Sequence, residues 1–228
     1  MTMDTDAFIR RLADQLEPVQ PISGPWIRTG TWLALAIPSI LFLVLVKSPR
    51  ADLASKLSDP EFVLEQVAAL ATGAAAATAA FASVIPGYRP KLAALPLVPL
   101  AVWLGSLGHG CVQDWLRLGP QGLALRSDWS CIIAIAKIGA VPAGAIVLML
   151  RRSAPLSPHL TMALGGLAAA GLGNFALRLV HTEDASMMVL VWQFGAVCAL
   201  SMVLAGAGRY LLSWRAIRGG RHGIAPVS

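Results

Sequence analysis

Charge is scarce in this chain. Only 13% of its 228 residues are Asp, Glu, Lys or Arg, about half the usual share in a soluble domain. So few polar groups cannot clothe a large globular fold in water. Cysteine is scarcer still, at three, which excludes a disulfide-dense scaffold. No two cysteines stand as Cys-x-x-Cys, so the usual spacing of a thiol oxidoreductase is missing. There are four histidines, and no set of nucleophile, base and orienting group can be read. An enzyme is therefore not expected, nor is a resident cofactor. The net charge is +6 and the isoelectric point is near 9.8. No aromatic-interleaved basic stripe accompanies that charge, so direct nucleic-acid contact is not expected. The start carries Asp4, Asp6, Asp14 and Glu17 beside Arg10 and Arg11 and reaches no early apolar run, unlike a cleaved secretory signal. Thr2 and a final Ala-Pro-Val-Ser carry no lipidation signature.

What is abundant is apolar sequence. Hydrophobic residues make up 56% of the chain, and the mean hydropathy is +0.67. The apolar residues gather into six stretches, 29–46, 66–85, 92–110, 131–150, 160–179 and 186–208. Each approaches the ~17–25 residues that a helix needs to cross a bilayer core. In lipid each backbone polar group must be satisfied internally, so spans of this kind are helices. The sequence predicts an all-α, polytopic membrane protein with six transmembrane helices. Residues 1–28 form a cytoplasmic tail, 29–208 the membrane domain, and 209–228 a second cytoplasmic tail.

Arginine placement sets the orientation. Arg151-Arg152 and the arginines at 209, 215, 218 and 221 fall on the same side as the N-terminus. The positive-inside rule then puts both termini in the cytoplasm. Trp26, Trp32 and Trp214 would mark the inner interface, Trp115 and Trp129 the outer one, and Trp103 and Trp192 would pack deeper. Pro38, Pro96, Pro99 and Pro142 are expected to bend their helices. Small residues recur every four positions at Ala68, Thr72, Ala76 and Ala80, and again at Gly165, Ala169 and Gly173. Such stripes let helices approach closely, either inside a compact bundle or across a homodimer. Lys137, Asn174 and Gln193 are the notable polar groups within the spans, and a small transporter or channel would use them.

Two places stand out against this apolar background. The first is the tail from Thr5 to Glu17, where Phe8, Ile9, Leu12, Ala13 and Leu16 share one helical stripe. Asp4 or Thr5 can cap the helix, and Pro18 and Pro21 end it. Its polar face is net acidic, which does not suit an anionic membrane surface. An amphipathic helix this short needs a partner, and a protein groove fits best, with Phe8, Ile9, Leu12 and Leu16 as anchors.

The second place is the segment joining the third and fourth stretches, read as a loop. Cys111 and Cys131 fall at its two ends, within reach of each other if the helices are neighbours. In an oxidising compartment such a pair is a sensing or structural thiol pair. His109 and His181 lie near the same membrane face and can join Cys111 and Cys131 in a transient soft-metal site. Cys198 sits inside the sixth stretch as a small packing residue.

Five runs carry a family resemblance. They are Leu53 with Leu57-Ser58-Asp59-Pro60, Gly110-Cys111 with Asp114-Trp115-Leu116-Arg117-Leu118-Gly119-Pro120, Ser127-Asp128-Trp129-Ser130-Cys131, Arg151-Arg152-Ser153-Ala154-Pro155-Leu156 and His181-Thr182-Glu183-Asp184. With the acidic amphipathic tail, they make the chain resemble the NrsF-type membrane anti-sigma factors, negative regulators of sigma F. The resemblance implies a six-helix inner-membrane protein that holds an extracytoplasmic-function (ECF) sigma factor through its tail. It further implies that Cys111 and Cys131 sense heavy-metal or oxidative stress.

Overall fold

The computed structural model describes residues 5–14, 22–88, 90–123, 129–151, 153, 157–181 and 189–212. Among these the regular structure is helical throughout. The helices are α1 (Thr5–Asp14), α2 (Pro25–Lys47), a single turn α3 (Leu53–Lys56), α4 (Pro60–Ala82), α5 (Leu97–Leu118), α6 (Trp129–Arg151), α7 (Pro158–Val180) and α8 (Gly195–Leu211). A π-helical turn, Val189–Phe194, leads into α8. Five helical segments are long and apolar enough to cross a membrane: Pro25–Lys47, Pro60–Ala82, Lys91–Gln121, Pro158–Val180 and Leu190–Gly208. That is consistent with a membrane protein. The fourth expected stretch forms α6, 23 residues long.

Local chemistry moves several boundaries away from the hydropathy limits. Helix α4 begins six residues before its apolar stretch, because Asp59 caps it. The Asp59 carboxylate accepts a hydrogen bond from the Glu61 backbone N–H at 3.0 Å, Pro60 fills the first helical position, and Glu61 favours the first turn. At α5 the start is later and the end later still. Pro96 occupies its N-cap and Pro99 its first turn, where a missing N–H costs no interior hydrogen bond. These two prolines therefore do not bend a helix as expected, whereas Pro38 and Pro142 do lie inside α2 and α6. Helix α5 then runs to Leu118 and stops at Gly119, whose φ is +63°, a conformation that glycine adopts without steric cost.

Helix α7 is the centre of the bundle. It packs most extensively on α8, α4 and α6, and its residues from Leu164 to Gly166 and from Ala168 to Asn174 are all buried. Both small-residue stripes are consumed here. Ala68, Thr72, Ala76 and Ala80 are buried within the chain, as are Gly165, Ala169 and Gly173. They serve the compact bundle, and the homodimer loses the surface it was read from. A Cβ on Gly171 would lie 3.0 Å from the Ala69 carbonyl oxygen and 3.1 Å from Gly73 Cα. Both are backbone atoms that cannot swing aside. Gly171→Leu should therefore force α4 from α7 and destabilise the fold by about 1–3 kcal/mol. A thermal melt of the detergent-solubilised protein checks it, with Gly144→Ala, whose Cβ meets nothing within 4 Å, as the silent control.

Candidate functional site

The tail helix forms. Helix α1 covers Thr5–Asp14, with the Arg10 Nε donating to the Asp6 carbonyl at 3.3 Å. No described element packs substantially on it. Ile9 is 56% exposed. The side chains of Phe8 and Leu12, and all of Leu16, lie outside the described residues. Nothing in the described bundle covers the apolar stripe at Ile9.

The cysteine segment differs from its sequence reading. Residues Gly108 to Leu118 continue α5, and Gly119–Leu123 is a 3₁₀ turn. Cys111 therefore sits two turns inside a helix and not at a loop edge. It is half-buried and a free thiol. Cys131 is the third residue of α6, and its side chain lies outside the described residues. Helices α5 and α6 make no substantial contact; the π-helical turn Val189–Phe194 packs on both. Sequence adjacency thus does not make these two helices packing neighbours.

The histidines do not converge with Cys111. Two positions apart on α5, His109 and Cys111 cannot share a helical face. The His109 Nδ1 lies 3.4 Å from Glu61 Oε1, and its ring contacts Gln113. His181 caps α7 and lines a cavity with Lys47 and Lys137. Among the described residues no three His, Cys, Asp or Glu side chains could hold a metal ion. Of the expected four-residue soft-metal set, the Cys131 side chain lies outside the described residues. A transport path is equally thin. Asn174 is buried in α7 and is not among the residues lining the Lys137 cavity, and the Gln193 side chain lies outside the described residues.

Sequence reasoning missed how α2, the helix that follows the tail, is tied to α6. Arg28 is almost fully buried, and its NH2 donates to the Met149 carbonyl at 2.6 Å. The guanidinium also lies over the Phe81 ring at 4.5 Å. Met149 is in the last turn of α6, where carbonyls lack helical partners. One turn further along α2, Trp32 is fully buried and its Nε1 donates to the Pro142 carbonyl at 2.9 Å. This corrects the interfacial placement of Trp32. Thr29 Oγ1 meets Thr78 Oγ1 at 3.0 Å, tying in α4. A second polar clasp closes the opposite end, where Arg178 pairs with Glu65 at 2.8 Å and both Arg178 and Arg50 lie over Phe62. The only sequence signal for the α2 contacts was an arginine one turn inside a helix that begins at a proline.

Residues 12–214 match the NrsF family, described as negative regulator of sigma F. The chain belongs to the NrsF family. The match takes in every long helix of the bundle and the last residues of α1. No curated protein and no solved structure matches the chain. As an NrsF protein it is a negative regulator of a sigma factor.

Proposed function

We propose that this NrsF protein is an inner-membrane anti-sigma factor that holds an ECF sigma factor through α1. It releases that partner when heavy-metal or oxidative stress reaches Cys111 and Cys131. The observation carrying this reading is α1 itself: a formed amphipathic helix with Ile9 exposed, no described element packed substantially on it, and α2 eleven positions further on. Burial of Phe8, Ile9, Leu12 and Leu16 in a sigma-factor groove would cover the apolar face and occlude a polymerase-binding surface. Both termini are cytoplasmic, and α6 is the fourth of six spans. The thiols then face the periplasm, with a cytoplasmic tail at the other end.

Release requires that the outer event change the tail's affinity. Helix α6 supports such a route. Cys131 is in its first turn and Met149 in its last, about 27 Å apart along a regular helix. A soft metal or an oxidant acting at Cys131 would displace the start of α6. Arg28 and Trp32 would pass that displacement to α2.

One co-purification experiment tests both halves. Full-length tagged protein should recover a small sigma factor from cells, and a version lacking residues 1–20 should recover none. Cadmium or peroxide given before lysis should reduce recovery with the wild type and leave it unchanged in Cys111→Ser/Cys131→Ser. Recovery without the tail removes α1 as the binding element. A normal loss of partner in the double-serine protein removes the thiols as the sensor.

A further inference from the structure

At the end of the bundle opposite Arg28, α2 and α6 part over the end of α7 and leave a cavity of about 450 Å³. Its wall is apolar, with Leu43, Ile138, Leu177 and Val180, and its charged groups are Lys47 and Lys137. Among the described residues no carboxylate lines it. Both lysines are exposed, and neither has a hydrogen-bond or ion-pair partner among the described residues. Lys47 is the last residue of α2, whereas Lys137 is eight residues into α6, about 12 Å along the axis. An ammonium at that depth is costly without a counter-charge, and its long stem lets it reach toward the helix ends. Two cations thus converge above an apolar slot.

We propose that this cavity binds one anionic phospholipid of the phosphatidylglycerol type. The phosphodiester lies between Lys47 and Lys137, and the first carbons of an acyl chain lie along Leu43, Ile138, Leu177 and Val180. Charge complementarity selects the occupant: the two ammonium groups among the described lining residues favour a net-negative headgroup over a zwitterionic one, and basic pockets between membrane helices take such headgroups. The apolar wall distinguishes a lipid from a soluble phosphate. The inference rests on the membrane reading of the helices, and it is independent of what α1 captures.

Native mass spectrometry of the full-length protein, extracted from carbonate-washed membranes, tests it. Given equal phosphatidylglycerol and phosphatidylethanolamine, the wild type should retain the anionic lipid with about tenfold preference. Lys47→Gln/Lys137→Gln should lose that preference, and Lys47→Arg/Lys137→Arg should keep it. Equal retention of the two lipids by the wild type overturns the proposal, as does an undiminished preference in the glutamine variant. Displacement of the lipid by an equal concentration of glycerol phosphate would assign a soluble phosphate site instead and overturn it too. Protein absent from the washed membranes would sink the membrane reading itself, an outcome distinct from all of these.

Discussion

Placing aspartate at both Ile9 and Leu12 should abolish sigma-factor capture, lowering affinity by at least about 100-fold. Anchors that fill a partner's pocket typically cost about 2 kcal/mol or more each when truncated, and a buried, unpaired carboxylate adds a desolvation penalty. The expected loss is specific to binding. Ile9 is exposed in the free protein and no described element packs substantially on α1, so the bundle should melt as before. Arg10 and Asp14 project from the opposite side of α1, and Arg10→Gln should shift affinity by less than about threefold. Titration of the purified sigma factor against detergent-solubilised protein reads both variants beside the wild type. Near-wild-type affinity in Ile9→Asp/Leu12→Asp would show that the regulator holds its partner by another surface.

Hydropathy made the helical bundle readable, because span length and apolar run length are set by the same bilayer. It could not place the ends of α4 and α5. The segment from Cys111 to Leu118 mixes Gln113, Asp114 and Arg117 with apolar residues, and such a mixture looks like a loop. A helix can nevertheless continue past an apolar run, since each further residue adds a backbone hydrogen bond and polar side chains face outward. Only a stop such as Gly119 ends it. The same limit applied to neighbours. Four-residue spacing identified small-residue contact faces, yet it did not say that α7 would meet them inside the same chain. Trp32 is read from sequence as an interfacial group because it lies near the start of a span, and Arg28 lies one turn before it. Their carbonyl partners, Met149 and Pro142, are more than a hundred positions away, and no local pattern announces a side chain that bonds to a distant backbone. The amphipathic tail was readable for the opposite reason, since its chemistry is contained within four helical turns.

Those distant contacts carry the second large effect. Arg28→Leu with Trp32→Phe should leave sigma capture intact at rest and remove most of its release by cadmium or peroxide. Couplings between sites are typically ~1–3 kcal/mol, or about 5–150-fold in affinity; in the double variant the stimulus should change affinity by about twofold or less. Stability should move little in the same protein. Among the described residues the Arg28 NH1 is buried with no hydrogen-bond partner, and the guanidinium meets a carbonyl and the Phe81 ring. Replacing a buried charge of that kind with an apolar residue of similar bulk is often neutral or stabilising, while the lost Trp32 hydrogen bond costs about 1 kcal/mol. A residue kept in so expensive a position for stability alone would make little sense, whereas one that binds the tail-bearing helix to the last turn of α6 has a reason to be there. The two readings separate in one pair of measurements, a thermal melt and a release titration. A collapsed fold would make Arg28 and Trp32 structural. An unchanged melt with unchanged release would show that the signal reaches the tail by another path, and the pair Arg178–Glu65 at the opposite end would be the next contact to break.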